Sequence, residues 1–183
     1  MKRMVWVAIL AGAVFTNGPA RAMSIGANGG ISVLTPRENG DNLTTIAMPG
    51  GGGFFGLGFQ PGLRLGSSSE SGNDFYADLG IASAFASGSD ITSFQGTANF
   101  QHTFSPTGTS PFVTVGVGGM LLGGDFESTN AVLGGGLGVC GRVSDGHGIL
   151  RAEVRVDYIA EDTDGFIGGV AVGFKLGFDL IVK

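Results

Sequence analysis

One cysteine, one tryptophan and six prolines in 183 residues leave little room for several common architectures. With Cys140 alone, no internal disulfide can form even in an oxidising compartment, so the fold cannot depend on covalent staples. The residue reads as a small filler on a glycine-rich segment and not as a reactive thiol. Basic residues are also scarce, ten against 15 acids for a formal charge of −5, which argues against a nucleic-acid partner. No apolar run approaches the ~20 residues that a membrane-crossing helix needs. Glycine is abundant, with 36 residues, but has no three-residue period, which excludes collagen.

The first 22 residues have the three regions of a secretory signal peptide. Met1-Lys2-Arg3 is charged, residues 4–15 are apolar, and Ala20-Arg21-Ala22 is a small-residue cleavage site. Two regions follow: a signal peptide over 1–22, and an exported domain over 23–183 expected to begin at Met23. No cysteine adjoins the cleavage site, so a lipid anchor there is not expected. Cleavage removes Lys2, Arg3 and Arg21 but no acid, leaving a formal charge of −8.

What is present is alternation. From Val170 to Val182 every second residue is apolar (Val170, Val172, Phe174, Leu176, Phe178, Leu180, Val182), with Ala171, Gly173, Lys175, Gly177, Asp179 and Ile181 between them. A period of two belongs to a strand with one greasy face. The pattern recurs in eight segments: 24–35, 54–66, 75–85, 91–104, 112–122, 131–143, 149–160 and 168–183. Pro36 is expected to stop the first. These lengths approach the 9–11 residues of a tilted transmembrane strand, and an even number suits a bacterial barrel.

Direction of the apolar face separates a soluble barrel from a membrane one. Eight strands enclose room only for side chains or one small ligand. Roughly forty large apolar residues, about five per strand of this length, cannot fit inside and must meet lipid. The expected fold is all-β, an eight-stranded antiparallel up-and-down transmembrane β-barrel, closed so that every backbone group is satisfied internally. The inner face then carries Arg64, Arg142, Arg151, Arg155 and Lys175 with Asp78, Glu153, Asp157 and Asp179, and the hairpin register brings Arg64 opposite or nearly opposite Asp78. Buried charges persist when paired, so a closed ion-pair network is expected in place of a wide pore.

With both ends in the periplasm, the connections 36–53, 87–90, 123–130 and 161–165 lie outside the cell. They gather Glu38, Asp41, Asp90, Asp125, Glu127, Glu161, Asp162 and Asp164 against Arg37 alone. Solvated loop acids are favoured over a divalent-cation site shared with lipopolysaccharide phosphates, and no segment has the spacing of a twelve-residue calcium loop.

The glycine-rich runs Val113-Thr114-Val115-Gly116-Val117-Gly118 and Gly134-Gly135-Gly136-Leu137-Gly138-Val139, followed by Leu150-Arg151-Ala152-Glu153-Val154-Arg155, resemble OmpA-like and related small outer-membrane barrels. The resemblance covers the exported domain loosely and 112–183 best. It implies a bacterial outer-membrane address and lipid and lipopolysaccharide as surroundings. It also implies that Lys175, Gly177, Leu180 and Val182 form the terminal-strand signal read by the barrel assembly machinery, though the chain closes with Lys183 where that signal has an aromatic residue. No peptidoglycan-binding role is implied.

No catalytic, cofactor or metal site is expected. Some small barrels modify lipid A with a histidine and a serine or carboxylate, but His102 and His147 fall at the periplasmic end, away from the outer leaflet, and Ser83 is a lone outward hydroxyl lacking a partner. The glycine runs 50–53 and 134–136 precede no helix and are not phosphate loops. A structural or surface-interaction barrel is the expected function, a small porin-like channel the alternative, and a lipid A-modifying enzyme the least favoured.

Overall fold

A computed structural model describes residues 22–38, 41–42, 62–68, 71–86, 89–105, 107–124, 128–143, 147–160 and 168–182. Residues 1–21, which hold most of the expected signal peptide, the expected second strand before Gly62 and most of the acidic connections lie outside them. The elements are β1 (Ala22–Glu38), β2 (Asp41–Asn42), β3 (Gly62–Ser68), β4 (Asn73–Ala86), β5 (Ser89–Thr103), β6 (Thr109–Gly124), β7 (Ser128–Val143), β8 (Gly148–Ile159) and β9 (Gly168–Val182). No helix occurs among the described residues.

β1 pairs antiparallel with β3, each strand from β3 to β8 pairs antiparallel with the next, and β1 also pairs with β9, from Met23 opposite Val182 to Arg37 opposite Gly168. That pairing closes eight strands into an up-and-down barrel with β2 appended to the far end of β1. Closure removes the edges that would leave backbone groups unpaired in hydrocarbon.

Alternation sets the two faces. Leu137, Phe104, Val115, Leu133 and Leu176 stand exposed on the outside, whereas Thr97, Asn99, Gln101, Thr114 and Arg155 are buried inside. Leu137, 67% exposed, would be costly in water and is well placed against lipid.

Strands run longer and connections shorter than the sequence suggests. The β4–β5 connection shrinks from 87–90 to 87–88 and the β6–β7 connection from 123–130 to 125–127. Polar residues at strand ends lack the apolar signal but still join the ladder. Pro36 does not stop β1 either. It lies opposite Gly169 near the end of the β1–β9 ladder, where a missing N–H is tolerated, and Gly169 has a φ of 152°, open to glycine and rarely to other residues.

Candidate functional site

Inside the barrel, each charged side chain is set by strand register. In the β3–β4 hairpin Arg64 stands directly across from Asp78. The pair is bidentate, with Arg64 Nε donating to Asp78 Oδ1 at 2.7 Å and Nη2 to Oδ2 at 3.0 Å. Asn28 Nδ2 adds a longer bond of 3.3 Å to Oδ1. The Arg64 guanidinium also lies 3.5 Å from the centre of the buried Tyr76 ring, while that of Arg151 is 5.8 Å away. The π-electrons of Tyr76 thus attract both cations, Arg64 more closely than Arg151.

On the opposite wall, β8 and β9 supply the remaining charges. Arg151 Nη2 donates to Asp179 Oδ1 at 2.5 Å and Arg155 Nε to Asp157 Oδ1 at 2.7 Å. Arg155 Nη1 also comes within 3.6 Å of Glu153 Oε1, close enough for attraction but too long for a hydrogen bond. Glu153 Oε1 accepts instead from Thr114 Oγ1 at 2.6 Å, a contact that ties β6 to β8 across β7. Lys175 faces Glu153 in register but makes no ion pair among the described residues. It is half-buried and, with Asp78, Asn28, Gln95 and Thr97, lines a cavity of about 10 Å³, barely the size of one water.

One expectation fails. Arg142 has inward parity but is exposed, because it lies one residue from the end of β7, where the bore opens. Setting it aside leaves Arg64, Arg151, Arg155 and Lys175 against Asp78, Glu153, Asp157 and Asp179, an even balance. Nor is every polar group matched: Arg64 Nη1, Arg155 Nη1 and Nη2, Tyr76 Oη and Asn99 Oδ1 have no hydrogen-bond partner among the described residues.

Glycines make the space. Gly26 lies opposite Asp179, Gly66 opposite Tyr76, Gly116 opposite Asn99, and Gly134, Gly136 and Gly138 opposite Asp157, Arg155 and Glu153. A Cβ at Gly134 would collide with the Asp157 carboxylate, and one at Gly136 with that of Glu153. The bare run on β7 is thus the complement of the charged run on β8.

Two apolar plates bound this polar middle. At the end carrying the turns after β3, β5 and β7, Phe112, Cys140, Ile149 and Ile181 pack together with Ala22 against them. Towards the other end Met120, Val132 and Ile159 are buried, Val132 directly across from Ile159, beside Asn130, which donates to the Ala160 carbonyl at 2.9 Å. These plates were not foreseen. Phe112, on the same face as Thr114 and Gly116, is 1% exposed.

Of the assembly-signal residues, Leu180 and Val182 are exposed on the outer face and Lys175 and Gly177 are on the inner one. His102 sits on the outer face with Nδ1 2.8 Å from Asn73 Oδ1 and its ring edge-on to Phe104, and His147 is exposed in a turn. The side chains of Ser83 and of the acidic rim lie outside the described set. Among the described residues no group of three His, Cys, Asp or Glu side chains is placed to hold a metal.

No family model matches the chain, and no curated protein does. Solved structures do. Neisserial surface protein A superposes with a TM-score of 0.66 at 16% identity, covering 86% of this chain and 96% of that one. The fold is that of the eight-stranded outer-membrane β-barrels. Ail, the attachment invasion locus protein of Yersinia pestis, superposes at a TM-score of 0.52 and 12% identity over 88% of this chain and 100% of its own. The outer membrane protein OprG from Pseudomonas aeruginosa gives 0.51 and 12% over 90% and 97%. Identities this low speak for the barrel and its strand order alone.

Proposed function

We propose that the chain, exported by cleavage after residue 22, is a bacterial outer-membrane barrel with a structural or surface-interaction role and no through-conducting pore. It is not an enzyme in this reading. The observation that carries the proposal is the layered bore: an even set of four cations and four anions held between two apolar plates. Each buried ion is costly to unpair, so the middle layer resists opening, and the apolar side chains on either side of it cannot solvate a passing ion.

The outer face, apolar from Leu150 to Tyr158 on β8 and from Val170 to Val182 on β9, supports lipid and lipopolysaccharide as the surroundings. The two longest connections, 43–61 and 160–167, lie at the opposite end from the turns after β3, β5 and β7, and this supports placing the end with those turns, and both chain ends, in the periplasm. The adjoining glycine-rich β7 and R-x-E-x-R β8 support an OmpA-like relationship, and the outward Leu180 and Val182 support recognition of β9 by the barrel assembly machinery.

Conductance tests the proposal against the porin-like alternative. The purified barrel in planar lipid bilayers is expected to show little or no steady current. Stepwise openings in most insertions would replace it with the channel reading.

A further inference from the structure

Of the four cations held in the bore, Lys175 alone makes no ion pair among the described residues. Its cross-strand neighbour is Glu153, but that carboxylate already accepts from Thr114 at 2.6 Å and lies 3.6 Å from Arg155. Lys175 lines instead the cavity of about 10 Å³ shared with Asn28, Asp78, Gln95 and Thr97.

Several of these groups keep a hydrogen-bonding position open. A carboxylate offers about four acceptor positions. On Asp78 three are filled, two at Oδ1 by Arg64 Nε and Asn28 Nδ2 and one at Oδ2 by Arg64 Nη2, so Oδ2 retains one. Thr97 Oγ1 accepts from Asn99 Nδ2 at 2.9 Å, which leaves its own proton to donate. Lys175 brings three N–H donors, none of them bonded among the described residues, and Gln95 adds an amide.

We infer that this cavity binds one ordered water, which accepts from Lys175 Nζ, donates to Asp78 Oδ2 and so joins β9 to the Arg64–Asp78 pair of β3 and β4. Size and charge select the occupant. The volume matches the ~10–15 Å³ that one water requires, and the lining provides the two to four polar partners that hold it. A bare cation would meet the Lys175 ammonium and an anion the Asp78 carboxylate, whereas water accepts from the first and donates to the second. A bridge of this kind is nearly as favourable as a direct bond. Lys175 is then a positioning residue: it fixes the water that holds Asp78 on the side Arg64 leaves open. The inference rests on the closed bore proposed above, because a held water needs a chamber that does not exchange freely along the axis.

The test is a crystal structure of the exported barrel from detergent, at a resolution that shows waters, together with a double-mutant cycle. Density for one water is expected within about 3.2 Å of both Lys175 Nζ and Asp78 Oδ2. In the cycle, Lys175→Met keeps the length of the side chain without its charge, and Asp78→Asn keeps the shape of the carboxylate. Urea titration in lipid vesicles should find the double variant about threefold or more better folded than the product of the two single effects. A dry cavity, a direct contact of Lys175 with Asp78 or Glu153, or additive effects would overturn the water bridge and leave the closed bore standing. If Asp78→Asn does not fold, the density in the parent decides alone. A file of waters running on past Val132 and Ile159 at one end and past Phe112 and Ile149 at the other would overturn the closed bore and the single held water with it.

Discussion

Arg64 shows how a single side chain is committed here. It is 3% exposed, bonded twice to Asp78 and stacked on Tyr76, so truncation removes three interactions and strands a buried carboxylate. Arg64→Ala is expected to cost about 3–5 kcal/mol, the usual penalty for orphaning one member of a buried pair. Urea titration in lipid vesicles, followed by the strand band in circular dichroism, measures it; residues 23–183 contain no tryptophan to report by fluorescence. A parent-like midpoint would show that Asp78 does not depend on Arg64. The Arg64–Asp78 juxtaposition was legible in the sequence because the apolar sets of two adjoining strands fix their hairpin register. The exposure of Arg142 was not, since parity says which face a residue takes and nothing of how near the strand's end lies to the mouth.

At the scale of the strand, β7 and β8 behave as one unit in which bareness on the first makes room for bulk on the second. This separates glycines that are required from glycines that are incidental. A Cβ at Gly138 would run into the Phe112 ring and the backbone carbonyl of Ala152, whereas one at the outward Gly119 would meet only the Asn130 carbonyl at an ordinary 3.6 Å. Gly138→Ala is therefore expected to reduce the yield of heat-modifiable, folded barrel severalfold, and Gly119→Ala to leave it unchanged. Equal yields would mean that the close packing between β6, β7 and β8 relaxes freely. Strand existence and facing were readable from alternation, most plainly in β5, β8 and β9. Strand ends were not, because polar residues such as Ser89, Thr109 and Ser128 carry no apolar signal yet extend the ladders.

For the molecule as a whole, the outward face decides behaviour in solution. Large apolar side chains from Met23 to Val182 are exposed all round the barrel, far more than a water-soluble monomer of this size would tolerate. The folded protein is expected to need detergent or lipid throughout purification, and to migrate faster on a gel unheated than boiled, since closed barrels resist mild denaturants. Identical migration of the two samples would count against a closed, membrane-embedded cylinder. Its outward apolar sets and inner charges were visible one strand at a time. The two apolar plates were not, because Phe112, Cys140, Ile149 and Ile181 come from four strands and meet only when the sheet curls shut.

The ladder between β1 and β9 carries a final consequence. Because Met23 stands beside Val182, the stretch from 23 to 182 is very nearly a ring, and where that ring is cut is a matter of synthesis more than of architecture. Joining these ends with a short linker and opening the chain in the turn between Ser68 and Asn73 preserves every strand neighbour, so the permuted polypeptide has the same cylinder available to it. In the natural order the seam can zip only after the last strand has been delivered, which leaves the earlier strands to wait with an open edge until it arrives.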